Sequence, residues 1–140
     1  MNKYHLFLDD ERSPEDCCNY MPNKRYYWDT NFIVVRNYVE FVETLTREFK
    51  NGNTPECVSF DHDLADTHYS LGVHNKELWE KYHDEPNHEK TGYDCAKFLT
   101  DFCGENNLPL PEYFVHSMNT IGRKNIVSWL ENFKKHHVIH

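Results

Sequence analysis

Tyr4–Asp10 has the sequence YHLFLDD, in which an aromatic and aliphatic run ends abruptly in two adjacent carboxylates. A short apolar run bounded by polar residues is typical of a buried β-strand. The pattern recurs at Cys57–Asp63, CVSFDHD, where a second apolar run stops at acidic residues. We therefore predict two buried strands, each with carboxylates at its carboxyl end.

Further short apolar runs predict the remaining strands. Phe32–Val35 and Tyr113–Val115 have the aromatic and β-branched composition that strands favour, and a last short strand is predicted at Val138 and Ile139. Strands that alternate with helices indicate an α/β domain with a mostly parallel central sheet and right-handed crossovers.

Helices are predicted where apolar residues recur at helical spacing. One covers about residues 38–50, one follows the capping residue Thr91, and one follows Asn119 or Thr120. Pro14 is suited to the first turn of a short helix, and the segment from there to residue 31 is predicted to be mostly loop.

Composition sets broad limits on the class of protein. The chain has 140 residues, 15% of them aromatic, which is enough for one domain spanning 1–140 with a core of its own. The net charge of −8 opposes non-specific binding to nucleic acid, so stable binding to a duplex is not expected. The segment at about 65–90 is rich in His and acidic residues, and it is predicted to be an insertion.

The cysteines and the amino terminus suggest a cellular location. The five cysteines are odd in number and form no C-x-x-C pair, so buried reduced thiols are expected. We identify no signal peptide and no apolar run long enough to span a membrane. We expect a soluble protein in the cytoplasm of a bacterial or phage-infected cell.

Polar side chains follow three of the four main predicted strands. In an open α/β sheet the carboxyl ends of the strands lie along one edge, and ligands bind there. The side chains expected to converge at this edge are those of Asp9, Asp10, Asp61, His62, Asp63, His116 and Ser117.

Carboxylates placed this close together predict a bound cation. They repel one another, and a cation would remove the need for one of them to hold a proton. Oxygen ligands suit Mg²⁺, Mn²⁺ or Ca²⁺, and an added histidine widens the choice to Mn²⁺, Fe²⁺ or Zn²⁺. The alternative is that Asp9 and Asp10 only cap the turn or helix that follows them.

His62 and His116 are the candidate catalytic acid and base, because the pKa of histidine lies near neutrality. Each could instead only hydrogen-bond a neighbouring carboxylate. The residue pattern does not assign one as acid and the other as base.

Helix starts and arginines near the strand ends are the candidate phosphate ligands. Free N–H groups at a helix start attract anions, and a guanidinium can bind two phosphate oxygens. The alternative is that these residues only cap helices or pair with acidic side chains, and we favour it for Arg36. The predicted phosphate-binding or substrate-binding residues are Arg12, Thr91, Gly92, Ser117, Asn119, Gly122 and Arg123.

Five segments together resemble a known family. They are LFLDDERSP at Leu6–Pro14, VVR at Val34–Arg36, SFDHDL at Ser59–Leu64, TGYDCAKFL at Thr91–Leu99 and HSMNTIGRKNI at His116–Ile126. In this order they resemble the cyclic-phosphate processing receiver-like domains, which are related to the receiver domains of two-component systems.

The resemblance implies a flavodoxin-like, receiver-like fold, in which a central sheet lies between two layers of helices. It also implies a metal site at Asp9, Asp10 and Asp61, with Asp63 nearby and with Mg²⁺ or Mn²⁺ as the cofactor. It further assigns His62, His116 and Asn119 to the active site, with Asp63 as an additional catalytic candidate.

The function implied by the resemblance is the processing of a cyclic phosphate on a nucleotide, on ADP-ribose or at an RNA end, as in RNA repair. A metal-dependent phosphoesterase (a hydrolase) is the first hypothesis. The second is a non-catalytic binder of a cyclic nucleotide signal, for example in phage counter-defence. The third is a receiver phosphorylated on Asp61, against which we note the lack of a recognisable lysine at a fifth strand end.

The chain departs from the family pattern in two places. Thr120 stands where the family often has proline, and the 65–90 segment is longer than the usual loop. The second departure bears on which substrate is bound.

Overall fold

The computed structural model describes residues 2–18, 20–61, 90–117 and 119–139. These residues form a four-stranded sheet in the order β2-β1-β3-β4, and every neighbouring pair of strands is parallel. The strands are β1 (Asn2–Leu8), β2 (Phe32–Val35), β3 (Asn53–Phe60) and β4 (Glu112–Val115). The insertion predicted at about 65–90 falls almost entirely outside the described residues.

Strand register brings the carboxyl ends of the strands into line. Leu8 at the end of β1 pairs with Val35 on one side and with Phe60 on the other, and Phe60 pairs with Val115. Backbone hydrogen bonds continue for one more residue, since the N–H groups of Asp61 and His116 each donate at 2.9 Å to a neighbouring strand. The residues that follow the strands therefore share one edge, as the sequence predicts.

The described helices begin at residues that can cap them. They are α1 (Pro14–Cys17), α2 (Lys24–Asp29), α3 (Tyr38–Lys50), α4 (Gly92–Glu105) and α5 (Thr120–His136). Asn37 caps α3 by accepting from the N–H of Glu40 at 2.9 Å, and Thr91 forms a capping box with Asp94 at the start of α4. Gly52 follows α3 with a φ of 82°, a conformation that glycine adopts without strain.

The core has two parts, one on each face of the sheet. Leu6 and Leu8 point to one face, where they pack in a cluster with buried residues of α3, α4 and α5. Phe7 points to the other face, where it packs with Cys17 of α1 and Tyr27 of α2. A parallel sheet covered by helices on both faces gives three layers, so the predicted receiver-like α/β sandwich is confirmed.

Some local predictions were wrong. The segment predicted as loop before residue 31 contains α2, because burial of Tyr27, at 1% exposure, stabilises a helix without a clear apolar period. The strand predicted at Val138 and Ile139 does not form. The chain leaves α5 there, with the His137 ring stacked on Phe133 at 4.5 Å and its Nε2 2.7 Å from the carbonyl oxygen of Leu108.

Among the described residues, no helix combines the length and the apolar character needed to cross a bilayer.

Candidate metal centre

Three carboxylates converge at the carboxyl edge of the sheet. Asp9, Asp10 and Asp61 each offer an oxygen, and these three atoms lie within 4.8 Å of one another. Asp9 and Asp61 are 0% and 3% exposed, and Asp10 is partly exposed. An all-oxygen donor set with this much negative charge fits Mg²⁺ or Mn²⁺ and resembles the metal sites of receiver domains.

Asp9 is held by hydrogen bonds to both of its oxygens. Oδ1 accepts from the backbone N–H groups of Glu11 at 2.9 Å and Arg12 at 2.8 Å. Oδ2 lies 3.1 Å from Nε2 of His116 and 3.4 Å from Nε of Arg12. Burial by itself raises the pKa of Asp9, but the hydrogen bonds from His116 and from the backbone outweigh it and bring the pKa to about 2. Asp9 is therefore ionised and fixed in one orientation.

The pKa of Asp10 is shifted in the opposite direction from that of Asp9. Its partial burial and the adjacent charge of Asp9 raise its pKa. Of these two neighbours, Asp10 is the one whose negative charge is destabilised by its surroundings. A cation bound beside it would therefore favour its ionised form.

His116 lies beneath this cluster, and its side chain is 0% exposed. Its Nδ1 lies 2.7 Å from Oγ of Ser59, and its ring stacks on Phe7 with centroids 4.4 Å apart and an interplanar angle of 4°. Burial lowers the pKa of His116, against the hydrogen bond to Asp9, which raises it. Both ring nitrogens are in protein hydrogen bonds, so in this conformation the ring contacts Asp9 and does not face solvent.

Arg12 lies beside the acidic cluster and is hydrogen-bonded to Tyr20, a contact that the sequence does not indicate. Its Nη1 donates to the hydroxyl of Tyr20, and its guanidinium lies 5.4 Å from the centre of that ring. The Tyr20 hydroxyl in turn donates to the backbone carbonyl of His116 at 2.7 Å. Tyr20 thus joins the loop after β1 to the loop after β4, although its spacing gives no signal of such a role.

Arg36 holds the loop that carries the acidic residues. Its Nη1 donates to the backbone carbonyls of Asp9 at 3.1 Å and Arg12 at 2.6 Å. The interpretation favoured from the sequence, a surface or acid-paired arginine, missed this pairing with two carbonyls of the loop.

Two predicted phosphate-binding helix starts differ in charge. At α4, a carboxylate oxygen of Asp94 accepts from the N–H of Thr91 at 2.8 Å, and its negative charge opposes binding of an anion. At α5 the first turn has no acidic residue, and the side-chain oxygen of Asn119 accepts from the N–H of Gly122 at 2.8 Å.

The remaining predicted residues are located as follows. Gly92 is buried in the first turn of α4, and Arg123 is exposed on α5. Ser117 is 3% exposed, and its Oγ accepts from the N–H of Asn119 at 3.1 Å. His62 and Asp63 lie outside the described residues.

The order of the sheet, its helical layers and the acidic edge together define a receiver-like α/β domain. The chain matches the cyclic-phosphate processing Receiver domain family over residues 4–132 and belongs to that family. No curated protein and no solved structure matches it significantly.

Proposed function

We propose that this protein is a metal-dependent phosphoesterase that opens a cyclic phosphate carried by a nucleotide, by ADP-ribose or by an RNA end. The convergence of Asp9, Asp10 and Asp61 within 4.8 Å is the observation on which the proposal rests. Membership of a cyclic-phosphate processing family supports the class of substrate.

The three carboxylates would hold Mg²⁺ or Mn²⁺. Such a cation supplies a Lewis acid that polarises a phosphoryl oxygen or lowers the pKa of a bound water. The part of Asp9 is to keep a full negative charge in a fixed orientation, since both of its oxygens accept hydrogen bonds.

Proton transfer is assigned first to His62, with Asp63 beside it in the sequence. His116 has the right chemistry for the second proton-transfer group, but it is 0% exposed. We therefore propose that His116 acts through Asp9, which its Nε2 contacts at 3.1 Å.

Phosphate oxygens would be bound on the side of α5. Its start lacks an acidic residue, unlike that of α4, so the N–H groups of its first turn between Asn119 and Gly122 can stabilise negative charge. Arg12, which is 31% exposed at its side chain, is the proposed cationic partner, with Ser117 and Arg123 as further candidates.

The direct test is incubation of the full chain with ADP-ribose cyclic phosphate and with 2′,3′-cyclic nucleotides, with Mg²⁺, with Mn²⁺ or with EDTA. Addition of water to phosphorus and cleavage of one P–O ester bond would give a free hydroxyl and a phosphomonoester, and phosphorus NMR would show the cyclic phosphate replaced by the phosphomonoester. Asp10→Asn should abolish the metal-dependent turnover, whereas the exposed Asp101→Asn should not. Absence of turnover of every cyclic phosphate with both Mg²⁺ and Mn²⁺, or equal turnover in EDTA, would rule the hypothesis out.

The burial of His116 favours a second candidate, a binding module that retains a cyclic nucleotide without cleaving it. Ligand recovered intact after denaturation of the loaded protein would support this function. Labelling with acetyl phosphate tests the third hypothesis, phosphorylation of Asp61, in the same preparation.

A further inference from the structure

A buried chain of hydrogen bonds continues past His116 into the core. Nδ1 of His116 lies 2.7 Å from Oγ of Ser59, which lies 2.7 Å from the hydroxyl of Tyr27. Ser59 is 0% exposed and Tyr27 is 1% exposed. These hydrogen bonds thus connect α2, β3 and the end of β4 to Asp9 of the acidic cluster. The sequence predicts neither Ser59 nor Tyr27 as a site residue.

The donor and acceptor properties of these groups allow hydrogen-bond donation in only one direction, from Tyr27 through Ser59 and His116 to Asp9. An ionised Asp9 only accepts, so Nε2 of His116 must carry the proton that it donates. With a neutral ring, Nδ1 then accepts from the hydroxyl of Ser59, and the Ser59 oxygen accepts from the hydroxyl of Tyr27. In the reverse direction Tyr27 would need an acceptor of its own, and among the described residues Ser59 is its one hydrogen-bond partner.

Burial of a hydroxyl in this protein does not by itself imply that it has a hydrogen-bond partner. The hydroxyls of Tyr4 and Thr54 are also buried, and neither has a hydrogen-bond partner among the described residues. Thr54 lies five positions before Ser59 on β3, or about 17 Å away along an extended strand. Burial alone therefore does not account for the pairing of the Ser59 and Tyr27 hydroxyls beside the acidic cluster.

We propose that Ser59 and Tyr27 are positioning residues that act through His116 to hold Asp9, and thereby set the affinity of the acidic cluster for a divalent cation. This inference rests on the metal centre proposed above. Without the Ser59 hydroxyl, the ring can carry its proton on Nδ1 instead, which would turn a lone pair toward the Asp9 carboxylate. Outer groups that orient metal ligands in this way have large effects on affinity.

The first experiment measures Mn²⁺ affinity of the full chain by calorimetry or electron paramagnetic resonance. Ser59→Ala should weaken binding about tenfold, at the lower end of the usual effect of such groups. Tyr27→Phe should have a smaller effect in the same direction, and Ser59→Thr, which keeps the hydroxyl, should recover most of the affinity. Thr54→Val and Tyr4→Phe are matched controls that remove buried hydroxyls away from the cluster, and they should bind as the unaltered protein does.

The second readout is the nitrogen NMR spectrum of the His116 ring, which reports the position of the proton. The unaltered protein should have it on Nε2, and Ser59→Ala should show a mixture of the two tautomers. The controls should leave the His116 signals unchanged, so a general loss of packing cannot produce this result.

The outcomes separate this inference from the proposed function. Failure of the unaltered protein to bind Mn²⁺ would overturn the metal centre, and the role of Ser59 and Tyr27 with it. Mn²⁺ binding by the unaltered protein, together with equal affinity in folded Ser59→Ala and Tyr27→Phe, would overturn this inference alone. Should Ser59→Ala not fold, Tyr27→Phe decides by itself.

Discussion

Nε2 of His116 lies 3.1 Å from Oδ2 of Asp9, although the two residues are 107 positions apart in the chain. The parallel register of β1, β3 and β4 makes this contact possible, because it sets the ends of the three strands side by side. Through it, a wholly buried imidazole orients a carboxylate of the acidic cluster.

Replacing Asp9 should change how stability depends on acidity. The pKa of Asp9 is lowered to about 2 in the folded protein, against about 4 in the unfolded chain. The ionised carboxylate therefore contributes its full share of the unfolding free energy above about pH 4, and this share is lost as the pH falls toward 2. Asp9→Asn should reduce the free energy of unfolding at pH 7 by about 2 kcal/mol, and this difference should disappear near pH 2. Urea denaturation at a series of pH values measures it, with the exposed Asp101→Asn as control. The same difference at pH 2 as at pH 7 would contradict this explanation.

Asp10→Asn should raise the Tm of the metal-free protein and reduce the further rise in Tm that metal produces. Removing one of three clustered negative charges relieves repulsion, so Tm in EDTA should rise by about 3 °C, the shift expected for about 1 kcal/mol in a domain of this size. The increase in Tm on adding Mg²⁺ or Mn²⁺ should shrink, because a ligand is lost. Thermal unfolding with and without metal gives both values. A metal-induced shift that survives the substitution would argue against Asp10 as a ligand.

Arg36 should prove necessary for the shape of the acidic loop. Arg36→Ala removes a charged donor from the carbonyls of Asp9 and Arg12, which should cost about 2 kcal/mol in unfolding free energy and weaken Mn²⁺ binding. Arg36→Lys should restore only part of both, since an ammonium lacks the planar fork of the guanidinium. Arg47→Ala is the control, because that side chain is 58% exposed and pairs with its neighbour Glu48. Equal behaviour of the Arg36 and Arg47 variants would refute this role.

Asn119 offers a way to separate capping from phosphate binding. Its side-chain oxygen accepts from the N–H of Gly122, so Asn119→Ala should destabilise the protein by about 1 kcal/mol. Asn119→Asp keeps the cap but adds a negative charge at the start of α5. It should retain stability while losing affinity for a cyclic nucleotide, as measured by calorimetry. Unchanged affinity in Asn119→Asp would remove this helix start from the proposed phosphate site.

Thiol labelling should distinguish the cysteines by burial. Cys17, Cys57, Cys95 and Cys103 are buried, and burial raises the pKa of each of these thiols, which lowers their reactivity. Cys18 is only half-buried. A thiol reagent should therefore modify about one cysteine per native chain, mapped to Cys18 by mass spectrometry, and all of them in denaturant. Rapid native labelling of a Cys18→Ser variant would show that the core opens more readily than its packing implies.

Local pattern was sufficient to predict most of the architecture. Phe32–Val35 and Tyr38–Lys50 have the predicted bounds, and α4 and α5 follow the predicted caps Thr91 and Asn119. These features depend on side-chain periodicity and on capping chemistry, which neighbouring residues alone determine. The predicted convergence of the aspartates also follows, because parallel strands place their carboxyl ends at one edge.

The sequence by itself therefore determined the four strands of the sheet and the helices α3, α4 and α5, and it indicated an acidic edge at Asp9, Asp10 and Asp61. Only the tertiary structure decided which way the side chains around that edge face. It buries His116 against Phe7, joins it to Ser59 and Tyr27, and directs Arg36 to the carbonyls of the loop. The physical reason is that burial and hydrogen-bond partners depend on contacts between segments many residues apart, whereas periodicity reports only which face of its own element a residue occupies.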